Sequence, residues 1–253
     1  EIHDDLATSG NILSKLFKFF CILNSPFIIK LVFITLSLKK HISKEYLYDK
    51  KNFIILPDAT EIQNKKIKKI KKKRLKIGYF GSIYKSRGIN IITDLAKLDN
   101  RNDYFICGGT KEEIKTLKQE IRSKNIKLKS QVSYALVKKE ILKMDVLLMP
   151  YTKKATVSGN FGNIIKFMSP MKMFDYLGAS KIILSSDIPA LREILISNYN
   201  SILVKNYINV NSWKIIINKI SFNPNKFLPM RKNALKTAMK NNWNIRAKKM
   251  LSI

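Results

Sequence analysis

From Lys76 onward, short apolar runs alternate with amphipathic segments, and no other feature of the sequence constrains the fold as strongly. The apolar runs are bounded by turn-forming residues and are rich in Ile, Leu and aromatic residues, which favours buried strands. Strands that alternate with helices pair in parallel and place the helices on both faces of the sheet. We therefore predict an α/β fold built on a doubly wound, Rossmann-like sheet of about six strands.

The predicted elements follow one another with few connecting residues. Strands are expected at 76–81, 104–109, 128–133, 145–151, 182–184 and 201–205. Helices are expected at 88–98, 111–122, 136–144, 210–220 and 229–251. The loop 152–168 contains Gly159 and Gly162, and its length suits either a functional loop or a connecting loop without a function.

Residues 1–60 show the same alternation, and we interpret them as the remnant of a preceding domain whose beginning is absent. We expect a strand end at 1–4, a helix at 11–22, a strand at 30–35, a helix with outward basic residues at 37–48, and a strand at 53–56. The first residue is Glu1 instead of Met, which favours a truncated sequence. Lysine, asparagine and proline residues interrupt the apolar stretch 16–38, so we predict no transmembrane span.

A block of basic residues separates the two regions. Nine of the twelve residues from Lys65 to Lys76 are Lys or Arg, and such a run repels itself and stays solvated. We predict a basic linker at 61–74, between the remnant at 1–60 and a larger domain at 75–228; a phosphate-binding tail is the alternative. The last segment, 229–253, is expected to be a helix that packs back toward the N-terminal domain.

The formal net charge of +30 is extreme for a chain of 253 residues. One explanation is a surface that binds polyanions, and the other is an amino-acid usage rich in Lys, Asn and Ile. The lysines are spread over the whole chain, so general usage is favoured, attraction to an anionic membrane comes next, and nucleic-acid binding comes last. The two cysteines, Cys21 and Cys107, lie in apolar contexts, which favours buried free thiols in a reducing compartment.

The stretch from Ser169 to Leu195 indicates a helix, a buried strand and a second helix with almost no residues between them. The Ser169 hydroxyl is predicted to cap the first helix, Pro170 takes the first helical position, and Pro189 opens the second helix. A helix start beside the carboxyl end of a buried strand binds anions, because backbone N–H groups point outward there. We predict that this anion is the diphosphate of a nucleotide sugar.

Two other features point to the same edge of the sheet. Gly81 allows the backbone to approach a phosphate closely, and Arg87 can bind that phosphate in a bidentate manner. A strand, a glycine and a helix also follow one another in any Rossmann-like protein, so this signal is weak alone. Asp175 lies on the helix after the anion site, where a carboxylate can accept two hydrogen bonds from a ribose diol. A helical aspartate is more often simply solvated.

Together these stretches resemble the donor-binding, C-terminal half of family 4 glycosyltransferases, which have the GT-B architecture. The resemblance runs from Leu75 to Leu251 and is carried by GYFGSIYKSRGINII, MDVLLMPY, SPMKMFDYLGASKIILSSDIPALREIL, NYNSILV and WNIRAKKML. Residues 1–60 resemble the last part of the N-terminal half through EIHDD, LVFITLSLKKHI and FIILPDATEI. Bacterial enzymes that build surface polysaccharides are the most similar members.

The resemblance implies a reaction and its partners. A sugar would pass from a UDP- or GDP-sugar donor to the hydroxyl of a glycan or lipid-linked acceptor, with retention of configuration, in polysaccharide or glycolipid synthesis. No metal ion or other cofactor is expected, and nucleic acid is not an expected partner. The enzyme would be cytoplasmic, and the basic surface leaves open a peripheral position at an anionic membrane.

The resemblance also implies roles for particular residues. Asp175 matches an acid that holds the donor ribose, and Gly81 matches a glycine whose backbone lies against the diphosphate. Arg87 matches a basic position that neutralises the leaving group, and His3 matches a histidine near the reacting sugar. The remaining donor-binding residues implied are Ser82, Ser169, Pro170, Met171 and Lys172.

Three departures from the family pattern bear on activity. Ser82 stands where many members have a second basic residue, and Phe167 lies where an acid that contacts the sugar is expected. Ser180 replaces a glycine that usually ends the helix. These departures and the truncation support an alternative, a non-catalytic or decayed module of the same fold. A basic nucleic-acid-binding protein is a further alternative, suggested by charge alone.

Overall fold

The structure, a computed structural model, describes residues 1–3, 23–45, 52–63, 66–71, 74–156 and 163–252. Within these ranges the strands form two parallel sheets. The small sheet pairs β1 (Leu31–Phe33) with β2 (Phe53–Ile55). The large sheet contains β3 (Lys76–Phe80), β4 (Asp103–Cys107), β5 (Ile126–Lys129), β6 (Val146–Met149), β7 (Ile182–Ser186) and β8 (Ile202–Val204).

The large sheet has the strand order β5-β4-β3-β6-β7-β8. The chain first winds outward from β3 to β5 and then crosses back to β6, on the other side of β3. This reversal creates a switch point between β3 and β6, where ligands bind in open α/β sheets. The helices are α1 (Leu36–Glu45), α2 (Ile89–Leu98), α3 (Lys111–Glu120), α4 (Tyr134–Lys143), α5 (Met171–Gly178), α6 (Val210–Phe222), α7 (Leu228–Lys240) and α8 (Trp243–Leu251).

Two hydrophobic clusters cover the two faces of the large sheet. Because successive strand residues point to opposite faces, Val146 and Leu148 enter the cluster that contains Trp213, while Leu147 and Met149 enter the other. Burial on both faces explains why these strands appear in the sequence as continuous apolar runs. The prediction of a parallel, six-stranded α/β sheet is confirmed.

The small sheet has its own cluster, which includes Leu31, Phe33 and Leu38. Ile2 extends this sheet, because its N–H donates to the Val32 carbonyl at 2.7 Å. The predicted strand end near residue 2 and the strands at 30–35 and 53–56 are therefore confirmed. The predicted helix at 11–22, Cys21, and the glycines at 159 and 162 lie outside the described residues.

Several predicted elements differ from the structure. The strand expected at 128–133 lies at Ile126–Lys129, and the helix that Pro189 opens is a short 3-10 helix, Pro189–Glu193. The prediction of a single helix at 229–251 is wrong, because the segment forms two helices, α7 and α8. Asn242 separates them and caps α8, accepting a bond from Ile245 N–H at 3.0 Å. The basic linker exposes Lys66, Lys68 and Lys69, but Ile70 is buried and exchanges two hydrogen bonds with Asn225. The linker is therefore not solvated along its whole length. No helix in the described ranges is long and apolar enough to cross a membrane.

Candidate donor site

A cavity of about 620 Å³ opens at the carboxyl edge of the large sheet, beside the switch point. Its floor comes from the ends of β3, β4 and β6, and its walls come from α3, α4 and the start of α5. The residues of the predicted site that line it are Gly81, Ser82, Arg87, Pro170, Met171, Lys172 and Asp175. The fold therefore brings together seven positions that the sequence distributes over nearly a hundred residues.

Gly81 continues β3 into the cavity with a backbone conformation that favours glycine. Its φ is +133°, and its N–H donates to the Cys107 carbonyl at 3.0 Å. A Cβ at this position would lie 2.6 Å from Lys172 Nζ. Gly81 therefore brings backbone without a side chain to the cavity, directly beneath the side chain of Lys172. Its contact with a phosphate stays a prediction.

Arg87 ends a short 3-10 helix, Lys85–Arg87, that follows β3. Its guanidinium donates to the Thr156 carbonyl at 2.8 Å and lies over the Tyr151 ring, 5.5 Å from the ring centroid. These two contacts hold the planar group at the cavity wall and leave other N–H donors for a ligand.

Lys172 directs its side chain into the same cavity from the first turn of α5. Its Nζ donates to the Tyr79 hydroxyl at 2.9 Å and lies 4.0 Å from the centroid of the Tyr79 ring. The Tyr79 hydroxyl in turn donates to the Ser82 carbonyl at 2.5 Å. Within the described parts of the chain, neither Lys172 nor Arg87 forms an ion pair with a carboxylate. The Arg87 guanidinium is therefore a cation at the cavity wall with no carboxylate within ion-pair distance in the described residues, while the carboxyls of Glu113 and Asp175 line other parts of the cavity.

The start of α5 differs from the prediction at its cap. Pro170, with φ −75° and ψ 125°, is the cap residue, and the Ser169 hydroxyl is buried without bonding to the helix. The helix begins at Met171, because Met173 N–H already bonds to the Pro170 carbonyl at 2.9 Å. The prediction of a Ser169 cap is wrong, but the first-turn amides at Met171 and Lys172 still precede the first intrahelical donor.

Asp175 is buried at the far wall of the cavity. Its Oδ1 accepts hydrogen bonds from the Tyr134 hydroxyl at 2.7 Å and from Thr60 Oγ1 at 3.2 Å. Burial raises the pKa of the carboxyl, while the bonds from Tyr134 and Thr60 oppose that rise. The alternative of a simply solvated aspartate is therefore wrong, and Asp175 joins the large domain to the segment before the linker.

The family model for glycosyl transferases group 1 matches residues 60–238, which include the whole large sheet and every cavity residue. The chain belongs to this family. It is therefore a glycosyltransferase, and its family and fold agree with the resemblance seen in the sequence. A search of curated proteins finds no significant match.

Solved glycosyltransferases of the GT-B type share the fold of this chain. HepE from Anabaena, solved with UDP-glucose, has a TM-score of 0.73 at 13% identity, with 99% of this chain and 71% of HepE covered. A glycosyltransferase from Rickettsia africae has a TM-score of 0.69 at 14% identity, with 93% and 65% covered. WaaG, an enzyme of lipopolysaccharide biosynthesis, has a TM-score of 0.69 at 14% identity, with 96% and 67% covered. These similarities extend over both sheets of the glycosyltransferase.

His3 lies apart from the residues that line the cavity. Its Nε2 is 3.1 Å from a Glu1 carboxylate oxygen, and its side chain is 59% exposed. Glu1, His3 and Asp58 place one ligand atom each within 4.8 Å of one another, a spacing that suits a cation, although Arg246 already pairs with Glu1. Burial raises the pKa of the Asp58 carboxyl. The catalytic role of His3 stays a prediction, and so does the expectation that this glycosyltransferase needs no metal.

Phe167, at the position where an acid was expected, is buried in the hydrophobic cluster of the small sheet. It stacks on His41 with ring centroids 4.9 Å apart, and its carbonyl accepts a bond from Thr35 Oγ1 at 3.0 Å. Phe167 therefore contributes to the contact between the small and large sheets and does not line the cavity.

Several residues in the cavity or in contact with its cations had no role in the sequence-based prediction. Tyr79 and Tyr151 form an aromatic surface under the two cations, and Tyr134 binds the carboxyl of Asp175. Gly108 and Gly109 follow β4 with φ values of 151° and 71° and line the same cavity. The double glycine at the end of the strand predicted at 104–109 was a usable signal, because consecutive glycines there expose backbone to a ligand. The tyrosines carry no comparable signal, since Tyr79 lies in a strand, Tyr151 in a loop and Tyr134 at the start of a helix, all ordinary positions for tyrosine.

Proposed function

We propose that this glycosyltransferase binds a UDP- or GDP-sugar in the cavity beside the switch point and transfers the sugar to an acceptor hydroxyl with retention of configuration. The observation that carries the proposal is the convergence of Gly81, Arg87 and the start of α5 on one cavity, in which no described carboxylate forms an ion pair with the Arg87 guanidinium. An enzyme of this kind must stabilise a departing diphosphate while positive charge develops on the sugar.

Each element of the cavity suits one part of such a donor. Backbone N–H groups at the start of α5 and the open backbone of Gly81 suit the diphosphate, and Arg87 adds a fixed positive charge beside them. Asp175 would bind the ribose, and its carboxylate can accept further bonds because each oxygen has two lone pairs. The apolar wall formed by Val132, Val137 and Ile141 suits the flat base. No metal is required in this scheme, because Arg87 and the helix start supply the charge.

The acceptor would approach from the side of the small sheet, where we propose that His3 contacts the reacting sugar. Polysaccharide or glycolipid synthesis is the proposed context, with a glycan or lipid-linked acceptor. The net charge of +30 would attract an anionic membrane surface, where a lipid-linked acceptor would lie. Substituting His3 by Ala should abolish transfer while donor binding persists. Flotation with vesicles that contain an anionic lipid, at low and at high salt, tests the membrane contact.

A non-catalytic module of the same fold is the second candidate, because Phe167 places an apolar ring in the cluster of the small sheet where an acid was expected. Such a module would bind nucleotide sugar without turnover. The two candidates therefore agree on binding and differ on transfer.

The decisive experiment measures binding first and transfer second. UDP-glucose, GDP-mannose and ADP-glucose are added to the protein in a thermal-shift screen, and the best ligand is titrated by calorimetry. Arg87→Ala should weaken binding by about tenfold or more, since a charge-assisted bond is lost. Arg122→Ala, an exposed arginine on the outer surface, is the matched control and should bind normally.

Transfer is then followed with the bound donor and a glycan acceptor, and NMR of the product anomer reports retention or inversion. Product with the donor's configuration supports the proposed reaction, and binding without product supports the non-catalytic candidate. If none of the three sugars raises the melting temperature and Arg87→Ala changes nothing, the proposed function is wrong.

A further inference from the structure

Lys172 has surroundings that are unusual for a lysine. Its ammonium is partly buried in the cavity, bonds to the Tyr79 hydroxyl at 2.9 Å, and lies between two aromatic rings. The ring centroids of Tyr79 and Tyr151 are 4.0 Å and 5.7 Å from Nζ. Ring faces attract a cation, but they provide much less stabilisation than a carboxylate or bulk water.

A second cation shares these surroundings. The Arg87 guanidinium lies 5.5 Å from the centroid of the same Tyr151 ring that Lys172 approaches to 5.7 Å. Arg87 stays charged in any protein environment, so the empty cavity already holds one fixed positive charge. A second charge on Lys172 would be repelled, and only an anion in the cavity would favour both charges together.

The open backbone of Gly81 completes the geometry. The position of a missing Cβ at Gly81 is 2.6 Å from Nζ and 3.0 Å from Cε of Lys172. The lysine therefore crosses directly over the strand end against which a diphosphate would lie. The exposed Ser82 next to Gly81 adds no charge there, so Lys172 and Arg87 are the cationic side chains lining the described cavity.

We propose that Lys172 binds the donor diphosphate beside Arg87, and that its amine takes up a proton from solvent when the donor enters the cavity. This inference rests on the proposed function and names a residue and a proton-coupled step within it. The nitrogen lone pair accepts the proton, and the ammonium then donates hydrogen bonds to phosphate oxygens. The positive charge at this point of the cavity is thereby present when the leaving group needs it and absent when the cavity is empty.

The electrostatics of the empty cavity agree with this geometry. Desolvation, with a smaller effect of the Arg87 guanidinium, lowers the pKa of Lys172 well below that of an exposed lysine. The titratable and charged groups around Lys172 come from several elements. Tyr79 of β3 and Tyr151 after β6 contact its side chain. The others line the same cavity: Arg87 from the 3-10 helix, Asp175 from α5, Glu113 and Tyr134. Burial raises the pKa of Tyr79 and raises that of Tyr151 to about 12, so both hydroxyls stay protonated.

A diphosphate beside the amine raises its pKa again, because an opposite charge stabilises the ammonium. Between the two pKa values, the empty protein binds fewer protons at this site than the complex does. Donor affinity must therefore fall as the pH rises through that interval, and the complex must form with uptake of a proton.

Calorimetry with UDP-glucose tests this, because a sugar diphosphate has no ionisation of its own on the phosphates near neutral pH. Titrations at about pH 8 in buffers of different ionisation enthalpy give the number of protons taken up. The wild-type protein should take up between about half a proton and one proton per donor. Lys172→Met, which keeps the length of the side chain and removes the amine, should bind about tenfold to a hundredfold more weakly without that uptake.

Three further variants separate Lys172 from its neighbours. Lys172→Arg should keep much of the affinity and lose the proton uptake, because guanidinium is always charged. Asp175→Asn should keep the uptake, and Lys219→Met, the same change on an exposed face of α6, should match the wild type in both. Affinity of the wild type should fall as the pH rises through the interval between the pKa of Lys172 in the free protein and its pKa in the complex, and that slope should disappear in Lys172→Met.

Two results would overturn the inference while leaving the proposed function intact. One is binding of UDP-glucose by the wild type without proton uptake, and the other is Lys172→Met with unchanged affinity and uptake. If UDP-glucose does not bind, the titrations are repeated with GDP-mannose and ADP-glucose. Failure of all three donors to bind would overturn both the inference and the proposed function.

Discussion

The large and small sheets of this glycosyltransferase are stabilised in different ways. The large sheet has six strands, and a hydrophobic cluster covers each of its faces. The small sheet, as far as the described residues show it, pairs two strands of three residues and has one cluster. A two-stranded sheet of that size is not stable alone in water. The small sheet therefore depends on its contacts with the rest of the chain.

In the described ranges, several of those contacts come from polar groups of the large domain. Glu193 accepts bonds from the N–H groups of Leu36 and Ser37 at 2.7 and 2.8 Å and so caps α1. Arg246 of the last helix donates to the Pro57 carbonyl at 3.0 Å. We infer that the large sheet, which carries the cavity, is stable by itself. The small sheet, on the side proposed for the acceptor, is held in place by hydrogen bonds from the large domain.

Breaking the large sheet should have the greatest effect, and Gly88 is the position for that test. Its φ is +71°, and a Cβ there would lie 1.5 Å from the Pro150 carbonyl oxygen just after β6. Gly88→Ala combines left-handed strain with a backbone overlap, so we expect a loss of about 3 kcal/mol or more in the free energy of unfolding. Urea denaturation should show both sheets unfolding together. Loss of the large sheet alone, with α1 still protected, would contradict the dependence described above.

Breaking the Glu193 cap should affect only the small sheet. Glu193→Ala removes the acceptor for the first amides of α1, a change that costs about 1 kcal/mol at a helix N-terminus. Hydrogen exchange should become faster in Leu36–Glu45 and stay unchanged in β3 and β6. Glu120→Ala, an exposed acid at the end of α3, is the control and should alter neither region. Faster exchange throughout both sheets would show that the large sheet is not self-supporting.

The same contrast explains which parts of the structure the sequence could predict. The strands of the large sheet were predicted because burial on both faces leaves continuous apolar runs, as in Val146–Met149. Gly81 and Arg87 were predicted because strand ends and turn chemistry are local signals. The error at Ser169 has a local cause as well, since the extended Pro170 delays the helix by one residue.

Long-range contacts left no such signal. The side chain of Lys172 reaches the Tyr79 hydroxyl 93 positions earlier in the chain, and Thr60 meets Asp175 over a separation of 115 positions. Neither pair can be found from periodicity or spacing, because the fold alone brings the partners together. The contact of Phe167 with His41 could not be predicted for the same reason, although the sequence does show that position 167 lacks the expected acid.

The contact between Asp175 and Thr60 gives a smaller, pH-dependent test of how the two regions are joined. Burial raises the folded pKa of Asp175 above the unfolded value, so the folded state binds the proton more tightly. The ionised carboxyl therefore costs stability as the pH rises through the raised pKa, and that cost is absent below about pH 4. Asp175→Asn should be more stable than the wild type at neutral pH, and the difference should vanish in acid.

Asparagine keeps an acceptor for Tyr134, so the fold should persist while donor binding weakens, because the amide is a poorer partner for a ribose diol. Asp94→Asn on the exposed side of α2 is the control for charge removal. Urea unfolding from about pH 4 to about pH 8 measures the difference. A large loss of stability in Asp175→Asn at neutral pH would show that the ionised carboxyl is structural.

The smallest expected effect concerns Ser180, which follows α5 in the left-handed region with φ +55°. Glycine adopts this conformation without the penalty that a Cβ imposes, and the usual residue after a helix with such an ending is glycine. Ser180 is buried inside the large domain, where its carbonyl accepts a bond from Arg231 Nε at 3.0 Å that a glycine carbonyl would keep. Ser180→Gly should therefore raise the free energy of unfolding by about 0.5–1 kcal/mol, measured by urea denaturation, without altering hydrogen exchange in α1.

Asn198, which also has a positive φ of 63°, lies in a surface turn and serves as the comparison. Asn198→Gly should give a smaller gain, because asparagine tolerates this region better than serine. A loss of stability in Ser180→Gly would mean that contacts of the serine side chain outweigh the backbone strain.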